Sequence, residues 1–214
     1  MRCVILCGGK GERLMPLTKS TKKAYLPLGQ KRVIDHIIDR IPRGMPYSIS
    51  LNDNGALAAL EEAISGDEPI MVICGDNYFS ENLGAFASAF EGKTMVGIYD
   101  IGDKERAKQY GVVELSPEGQ ILRLIEKPQH PDTTLVSLGL YVFPPQTFPL
   151  ISDLAAINLK GNLGLAIIHI MTCESVYGFL VQGTCFDIGT PWGYLAANKF
   201  ENQRLYKVSE PMTS

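Results

Sequence analysis

Residues 4–14 read Val4-Ile5-Leu6-Cys7-Gly8-Gly9-Lys10-Gly11-Glu12-Arg13-Leu14, a short apolar run that ends in a glycine-rich turn. An apolar run of this length bounded by glycine is typical of a buried strand. The glycines allow the backbone to bend sharply and to bring N–H groups near a phosphate, with Lys10 and Arg13 supplying positive charge. The spacing matches neither the GxGxxG dinucleotide motif nor a P-loop, so a plain strand-to-helix turn stays open as an alternative.

The pattern of apolar residues beyond this turn predicts the fold class. Further short apolar runs predict strands at residues 70–74, 95–99, 111–115, 121–126 and 138–143. Helical spacing of apolar residues predicts helices at 33–41, 55–64, 83–90 and 163–171. Alternation of strands and helices in the first half predicts a doubly wound α/β fold with a mostly parallel sheet. The proline and glycine of residues 116–120 predict an antiparallel hairpin in the second half.

Composition excludes several classes of protein. The 214 residues, 45% of them apolar, are enough for one compact domain at 1–208, followed by a short tail at 209–214. A net charge of −3 with well-mixed signs argues against binding of nucleic acid or an anionic membrane. Apolar runs too short to span a bilayer and a start without a signal-peptide pattern predict a cytoplasmic protein. Five cysteines without a CxxC pair indicate neither a disulfide framework nor a zinc site.

Four later segments place charged groups beside apolar runs. They are a basic stretch at 19–23 and the sequences Gly75-Asp76-Asn77, Glu126-Lys127-Pro128 and Asp187-Ile188-Gly189-Thr190. Ligands of open α/β sheets bind at the carboxyl ends of the strands, where an aspartate can hold Mg²⁺ against a phosphate. The glutamate and lysine of the third segment can hold sugar hydroxyls and a phosphate, or form an exposed ion pair worth ~0–1 kcal/mol. Taken singly, each segment also fits a solvated face, a turn or a helix cap.

Together and in this order, the five segments resemble the sugar-1-phosphate nucleotidylyltransferase family, which carries GGxGxRLxPLT, then KxxLP, GDN, EKP and D-I/T-G-T. In this chain the five motifs stand at residues 8–18, 23–27, 75–77, 126–128 and 187–190. The resemblance extends from residue 1 to about residue 200 and includes the segments at 109–113 and 137–141. It implies a single Rossmann-like nucleotidyltransferase domain, with a nucleotide-binding part at about 1–100 and an antiparallel sugar-phosphate-binding part at about 101–200.

The resemblance also implies a reaction, in which a sugar 1-phosphate attacks the α-phosphorus of a nucleoside triphosphate and pyrophosphate leaves. It assigns catalysis to Arg13, Lys23 and Asp76. It assigns nucleotide binding to Leu6, Gly8, Gly9, Gly11, Arg13, Asn54, Gly55 and Asp76. It assigns sugar-phosphate binding to Gly111, Glu126, Lys127 and Tyr141, and Mg²⁺ binding to Asp76 and Asp187. The implied partners are the two substrates, without nucleic acid or membrane, and a homo-oligomer is compatible with them.

The chain departs from the family pattern in two places. Residues 42–49 stand where family members usually have a further strand and helix, so either neighbouring strands close up or a segment is absent from the chain. The base-reading element corresponds at best to residues 52–57, and overall likeness favours dTTP or UTP as the nucleotide. Residues 161–167 replace an acidic stretch that helps bacterial thymidylyltransferases hold the sugar, which leaves the sugar open.

Two other functions remain open at this stage. A phosphocholine-type cytidylyltransferase of the same superfamily would need an aromatic cage for a quaternary ammonium group, for which Tyr141, Trp192 and Tyr194 are candidates. The shortened segment at 42–49 makes a catalytically inactive nucleotide-sugar sensor the other alternative. Retention of both Asp76 and Asp187 argues against the sensor, because a sensor has no need of a reaction-competent metal pair.

Overall fold

The fold is given by a computed structural model, which describes residues 1–157 and 163–209, with side chains to residue 206. The strands are β1 (Arg2–Leu6), β2 (Pro27–Leu28), β3 (Lys31–Arg32), β4 (Tyr47–Ser50), β5 (Ile70–Cys74), β6 (Asn77–Phe79), β7 (Met95–Asp100), β8 (Gly111–Leu115), β9 (Ile121–Glu126), β10 (Leu135–Phe143), β11 (Tyr177–Leu180) and β12 (Cys185–Asp187). The α-helices are α1 (Val33–Arg40), α2 (Ala56–Ala63), α3 (Gly84–Ser88), α4 (Lys104–Ala107), α5 (Phe148–Ala156), α6 (Leu163–Ile170) and α7 (Pro191–Ser209). Short 3₁₀ helices span Glu12–Leu14, Lys23–Tyr25 and Pro145–Thr147.

A central sheet in the order β4-β1-β5-β10-β7-β11 confirms the predicted α/β class. Strands β4, β1 and β5 are mutually parallel, and β11 is parallel to β7. Strand β10 runs antiparallel to β5 and β7, and the predicted β8–β9 hairpin pairs with its first half. The carboxyl end of β5 therefore lies next to that of β1 on one side and beside Gly139, in the middle of β10, on the other.

Both faces of the sheet are buried, which explains the continuous apolar runs in the sequence. Side chains of β1 alternate between two clusters, with Cys3 and Ile5 packed toward α1 and Val4 and Leu6 packed toward α2. A period of two along the strand produces this division, because successive side chains point to opposite faces. The arrangement is the doubly wound one that the alternation of strands and helices predicts.

The short segment at 42–50 contains strand β4, at residues 47–50, which the sequence pattern does not predict. Strand β4 lies directly against β1 in parallel register, with Cys3 opposite Tyr47 and Ile5 opposite Ile49. It is the last strand on that side of the sheet. The short segment thus supplies the edge strand on this side of the sheet and pairs directly with β1.

Helix α7 is not among the helices that the sequence pattern predicts. Ser209 is its last residue rather than the first residue of a tail, and the other tail residues, 210–214, lie outside the described part of the chain. The helix is anchored by the Tyr78 hydroxyl, which donates a hydrogen bond to Glu201, and by the Gly29 N–H, which donates to Asn198 Oδ1 at 3.1 Å. These contacts hold the middle of α7, which begins directly after the turn at 187–190. The assignment of residues 1–208 to one domain stays a prediction.

No helix in the described ranges combines the length and the apolar character that crossing a bilayer would require.

Candidate active site

A cavity of about 340 Å³ opens at the carboxyl ends of β1 and β5. The structure brings eleven of the sequence-predicted site residues to its wall: Leu6, Gly8, Gly9, Arg13, Lys23, Gly55, Asp76, Glu126, Lys127, Tyr141 and Asp187. Three others, Gly11, Asn54 and Gly111, lie outside the lining. Asn52, Asp53, Gln109, Tyr110, Ser137 and Gly139 also line the cavity.

A short ladder between β6 and β12 brings Asp76 and Asp187 together. The ladder is antiparallel and pairs Asn77 with Asp187. The backbone N–H of Ile188 donates to the backbone carbonyl of Asp76 at 2.8 Å. Because Asp76 immediately precedes β6 and Asp187 ends β12, the two carboxylates lie beside one another although they are far apart in the sequence.

Gly189 shows how closely the charged groups converge. A Cβ built on this buried glycine would lie 2.9 Å from Asp187 Oδ1, 3.2 Å from Asp76 Oδ2 and 3.0 Å from Arg13 Nη2. Two carboxylate oxygens and a guanidinium nitrogen thus surround one point. Glycine at this position leaves that point free of side-chain atoms.

Electrostatic effects differ between the two carboxylates. Lys23 Nζ lies 2.5 Å from Asp76 Oδ2 and forms a partly buried ion pair with it. The pKa of Asp187 is raised, first by burial and then by the negative charge of Asp76. The Gly189 N–H, which donates to Asp187 Oδ1 at 2.8 Å, and the charges of Arg13 and Lys23 oppose that rise. Burial is thus the main cause of the raised pKa of Asp187, while Arg13 and Lys23 balance the formal charge of the two carboxylates.

Replacing Asp187 by asparagine should raise the thermal stability of the protein at neutral pH. The folded-state pKa of Asp187 is above its unfolded value, so ionisation as pH rises through the folded pKa disfavours the folded state. Asp187→Asn keeps an acceptor for the Gly189 N–H and removes that charge. We expect a higher Tm at neutral pH in EDTA, and no gain at a pH low enough to protonate Asp187 in both states.

Thermal unfolding at the two pH values measures this effect, with the exposed Asp132→Asn as the matched control. A variant that is less stable than the wild type at neutral pH would show that the Asp187 charge is compensated in the folded protein.

Adding a methyl group at Gly189 should damage function more than folding. The three atoms nearest to the new Cβ are the ends of flexible side chains, and the glycine is not in the left-handed region. We therefore expect Gly189→Ala to lower kcat about tenfold by displacing the charged groups, with little change in Tm. Steady-state kinetics and thermal unfolding of the same preparation test this. A large loss of Tm with unchanged kcat would assign Gly189 to packing alone.

The glycine turn is held by a contact that the sequence analysis missed. The Gly9 N–H donates to Asp53 Oδ1 at 2.8 Å, and Lys22 Nζ lies 2.6 Å from the same oxygen. The pKa of Asp53 is lowered, first by the hydrogen bond from Lys22 and then by that from Gly9. This contact joins the glycine turn to the loop at 51–55. In the sequence, an aspartate between Asn52 and Asn54 is typical of an ordinary turn. Its role in holding the glycine turn is visible only in the structure, where it lies across from Gly9.

The opposite end of the cavity carries the Glu126–Lys127 pair. Lys127 Nζ lies 4.0 Å from Glu126 Oε1, and the Lys127 N–H donates to the Tyr110 carbonyl at 2.9 Å. Lys127 has a φ of 50°, a left-handed conformation that costs energy for a residue with a side chain. Gly111 pairs with Glu126 across the β8–β9 ladder, and its Cβ would lie 3.0 Å from Glu126 Oε2. Gly111 is thus placed behind the Glu126 carboxylate rather than on the cavity wall.

Burial raises the pKa of Tyr110 to about 12, and the charge of Asp187 adds to the effect. The Tyr110 hydroxyl therefore stays protonated at neutral pH and can act as a hydrogen-bond donor beside the carboxylates.

Several candidate residues are not brought together. Tyr141 lines the main cavity, whereas Trp192 is 72% exposed and lines a neighbouring cavity. The Tyr194 hydroxyl donates to the Pro27 carbonyl and its side chain lines neither cavity. The aromatic cage required for a quaternary ammonium group is therefore not assembled from these three side chains.

Of the residues at 161–167, which replace the acidic stretch of bacterial thymidylyltransferases, Gly161 and Asn162 lie outside the described residues, while Leu163 lines the cavity.

The donor set can be tested for its fit to Mg²⁺. Within residues 1–157 and 163–209, no group of three or more histidine, cysteine, aspartate or glutamate side chains is arranged to hold a metal. Mg²⁺ is usually bound by one or two carboxylates together with substrate phosphates and water, rather than by a complete protein cage. The adjacent carboxylates of Asp76 and Asp187 fit that requirement.

Comparisons with known proteins agree with this arrangement. The family model for nucleotidyl transferases matches residues 2–50 and 45–204, in two segments that overlap at 45–50. The chain is 31% identical to the "Bifunctional protein GlmU" of Methanocaldococcus jannaschii over 94% of its length and 54% of that protein. It is 29% identical to the UTP–glucose-1-phosphate uridylyltransferase AglF of Haloferax volcanii, over 69% of the chain and 74% of AglF.

The chain spans about half the length of the GlmU relatives that it matches. Solved structures show the same fold at lower sequence identity. A Bacillus anthracis protein assigned as a glucose-1-phosphate thymidylyltransferase superimposes with a TM-score of 0.81 at 23% identity, covering 94% of both chains. A UDP-glucose pyrophosphorylase in complex with UDP-glucose has a TM-score of 0.79 at 20% identity, covering 95% of this chain and 98% of its own.

The family model accounts for nearly the whole chain, including the glycine turn, both aspartates and the Glu126–Lys127 pair. The chain therefore belongs to the nucleotidyl transferase family.

Proposed function

We propose that this protein transfers a nucleotidyl group from a nucleoside triphosphate, dTTP or UTP in preference to others, to a sugar 1-phosphate. The products are a nucleotide-sugar and pyrophosphate. The observation that carries the proposal is the convergence of Asp76, Asp187 and Arg13 on one point beside Gly189. This point lies in a cavity with a glycine-rich turn at one end and the Glu126–Lys127 pair at the other.

The proposed reaction needs no general base. A phosphate monoester with a second pKa near ~6 is ionised at neutral pH, so its oxygen is already a nucleophile. That oxygen forms a bond to the α-phosphorus, the bond from the α-phosphorus to the β-phosphate oxygen breaks, and pyrophosphate leaves with the electron pair. No proton moves in this step. Among the described residues no histidine lines the cavity: His36 is buried with Nε2 2.8 Å from the Leu28 carbonyl, and His130 and His169 are exposed.

The barrier comes from bringing two polyanions together, so the catalytic work is positioning and charge stabilisation. In the proposed reaction Arg13 grips the triphosphate and stabilises charge at the α-phosphorus. Lys23, adjacent to Asp76, helps to hold the phosphates of the reacting pair. Asp76 and Asp187 would hold Mg²⁺, which supplies positive charge next to the phosphates when bound.

At the other end of the cavity, Glu126 accepts hydrogen bonds from sugar hydroxyls and Lys127 contacts the sugar phosphate in the proposed complex. The backbone at this point is held by the N–H bond from Lys127 to the Tyr110 carbonyl, and both residues line the cavity, which supports this role. AglF, which acts on UTP and glucose 1-phosphate, supports both the nucleotide preference and the class of acceptor.

The experiment that tests the proposal is a two-dimensional substrate panel. Pyrophosphate release is measured with dTTP, UTP, CTP and GTP against glucose 1-phosphate, mannose 1-phosphate, N-acetylhexosamine 1-phosphates and phosphocholine. Turnover with a sugar 1-phosphate is expected, fastest with dTTP or UTP. Turnover with phosphocholine alone would assign the protein to the choline class. Binding of a nucleotide-sugar without turnover of any pair would instead support a sensor.

A further inference from the structure

The carboxylate of Asp53 holds donors of the glycine turn. Its Oδ1 accepts the Gly9 N–H at 2.8 Å, and Lys22 Nζ lies 2.6 Å from Oδ1 and 2.8 Å from Oδ2. The positive charge of Lys10 also acts on this carboxylate, because it contributes to the lowered pKa of Asp53. A backbone N–H of a glycine turn, together with ammonium groups, is an arrangement that binds phosphate oxygens. In this structure a carboxylate of the chain itself takes that position.

The shared position faces the main cavity. Gly9 and Asp53 both line that cavity, and a Cβ built on Gly9 would meet no atom within 4 Å. The Asp53 side chain is 52% exposed, so it can turn into solvent without leaving a buried gap. A phosphate that enters the cavity at the glycine turn therefore competes with the Asp53 carboxylate for the same N–H and the same ammonium group.

The turn and the loop at 51–55 are also held together by their backbones. Gly8 packs so closely on this loop that a Cβ there would collide with the Asn52 carbonyl oxygen. The Cys7 N–H donates to the Ser50 carbonyl at 2.8 Å, immediately before both segments. These contacts do not involve the Asp53 side chain. The glycine turn therefore keeps its place when the carboxylate moves away.

Lys22 is a cation that the proposed reaction has not used. It belongs to the basic stretch at 19–23, of which Lys23 lines the cavity. The Lys22 ammonium is directed at Asp53 and, at 3.4 Å, at the Leu51 carbonyl. Because Asp53 lines the cavity, an anion that replaced its carboxylate would lie next to the same ammonium group. The basic stretch thus holds a second cation near the phosphate position, neutralised by an ion pair.

We propose that Asp53 is an internal competitor for the phosphates of the substrate: a polyphosphate displaces its carboxylate and takes over both the Gly9 N–H and the Lys22 ammonium. The inference rests on the proposed function, in which the glycine turn binds a nucleoside triphosphate. Displacement costs the same free energy for every ligand. Weakly bound anions such as inorganic phosphate are therefore kept from the turn at concentrations at which a triphosphate still binds.

Calorimetric titration of the full chain with inorganic tripolyphosphate and with UTP, both in the presence of magnesium, tests the proposal. Asp53→Asn keeps an acceptor for the Gly9 N–H and removes the charge that holds Lys22. We expect this variant to bind both probes about fivefold more tightly than the wild type, an effect of the size typical of an exposed ion pair.

The matched control is Glu62→Gln, which removes a carboxylate charge beside the same loop. Glu62 Oε2 accepts a hydrogen bond from Asn52 Nδ2 at 2.7 Å, and glutamine keeps that acceptor. Glu62 does not contact the glycine turn through any of its printed neighbours in the cavity wall, so only the general charge effect remains. We expect a change in either dissociation constant of less than about twofold.

A second variant tests the change of partner at Lys22. Lys22→Gln should weaken the binding of tripolyphosphate, and the loss should be larger in the Asp53→Asn background than in the wild type. In that background the ammonium has no ion pair to give up, so its full contact with the anion is lost. Equal losses in the two backgrounds would overturn the proposal, because Lys22 would then not exchange Asp53 for the ligand.

NMR of the wild-type protein supplies a readout that does not depend on a variant. The Gly9 amide signal and the Asp53 carboxyl carbon signal should both shift as tripolyphosphate is added. Binding to Asp53→Asn that is equal to or weaker than binding to the wild type would overturn the proposal and make Asp53 a support of the turn. Equal tightening by Glu62→Gln would overturn it too, as would the absence of binding of both probes to the wild type and to Asp53→Asn.

These outcomes are distinct from those of the substrate panel. Tripolyphosphate carries no nucleoside and its binding requires no turnover, so the competition at the turn is measured without nucleotidyl transfer. Failure of every substrate pair to react would remove the proposed function, whereas equal affinities of Asp53→Asn and the wild type would remove only the role of Asp53.

Discussion

Replacing Asp76 by asparagine is expected to lower kcat for nucleotidyl transfer by about 10²-fold or more. Asp76 Oδ2 is one of the oxygens that converge near Gly189, and it also pairs with Lys23 Nζ at 2.5 Å. The amide removes a negative ligand for a divalent cation and leaves Lys23 without its ion partner. Asparagine has nearly the same shape, so the backbone bond from Ile188 to residue 76 should persist and the fold should be retained.

The measurement is steady-state pyrophosphate release at saturating magnesium, with thermal unfolding as the check on folding. Asp132→Asn is the matched control, because Asp132 is an exposed aspartate that pairs with Arg123, outside the cavity. Unchanged turnover in Asp76→Asn would remove the metal assignment and reduce Asp76 to a turn residue.

The second large effect is expected at Arg13, even when its charge is kept. Arg13 Nη2 lies 3.0 Å from the point at Gly189 on which both carboxylates converge. A guanidinium can donate two parallel hydrogen bonds to a phosphate, whereas a lysine ammonium acts as a point charge at a different reach. Arg13→Lys should therefore lower kcat by about 10²- to 10³-fold, the cost typical of losing one preorganised donor at a developing charge.

The ratio of kcat to KM separates this role from simple nucleotide binding. Loss mainly in kcat, with a small change in the KM for the triphosphate, is the expected result. Arg106→Lys is the control, because Arg106 is exposed and lies at the neighbouring cavity. A rise in KM with unchanged kcat in Arg13→Lys would mean that Arg13 binds ground state and transition state alike.

Sequence patterns located the core of the fold because local and tertiary preferences agree there. The limits of β5, β8 and β9 coincide with their apolar runs, and the turn between β8 and β9 contains Pro117 and Gly119 as a hairpin requires. Each of these strands is bounded by residues that cannot continue it. Periodicity and turn chemistry therefore determine the element and its limits together.

Elements that depend on distant partners were not predicted. Strand β4 is exposed along most of its length, so its sequence lacks the apolar run of a buried strand. Strands β6 and β12 have three residues each and exist only as partners of one another. Helix α7 has no marked apolar face, and contacts such as that of Tyr78 with Glu201 fix it in place.

Local sequence patterns likewise predict only part of the candidate site. Spacing alone left each charged segment compatible with a turn or a surface pair, and only the order of five motifs pointed to one pocket. The β6–β12 ladder, which no local signal reveals, is what brings Asp76 and Asp187 together. The contact from Asp53 to the Gly9 N–H is likewise a product of tertiary structure, since the two residues belong to separate loops.

The central claim is that this cavity joins a nucleoside monophosphate unit to a sugar 1-phosphate. Phosphorus NMR of the wild-type protein with magnesium, UTP or dTTP and a sugar 1-phosphate follows every phosphorus atom in the mixture. The account predicts loss of the phosphomonoester signal, growth of two coupled diphosphate signals and an equal amount of pyrophosphate, all about 10²-fold slower with Asp76→Asn. Release of inorganic phosphate or free nucleotide, with the sugar 1-phosphate signal unchanged for every acceptor, would contradict it.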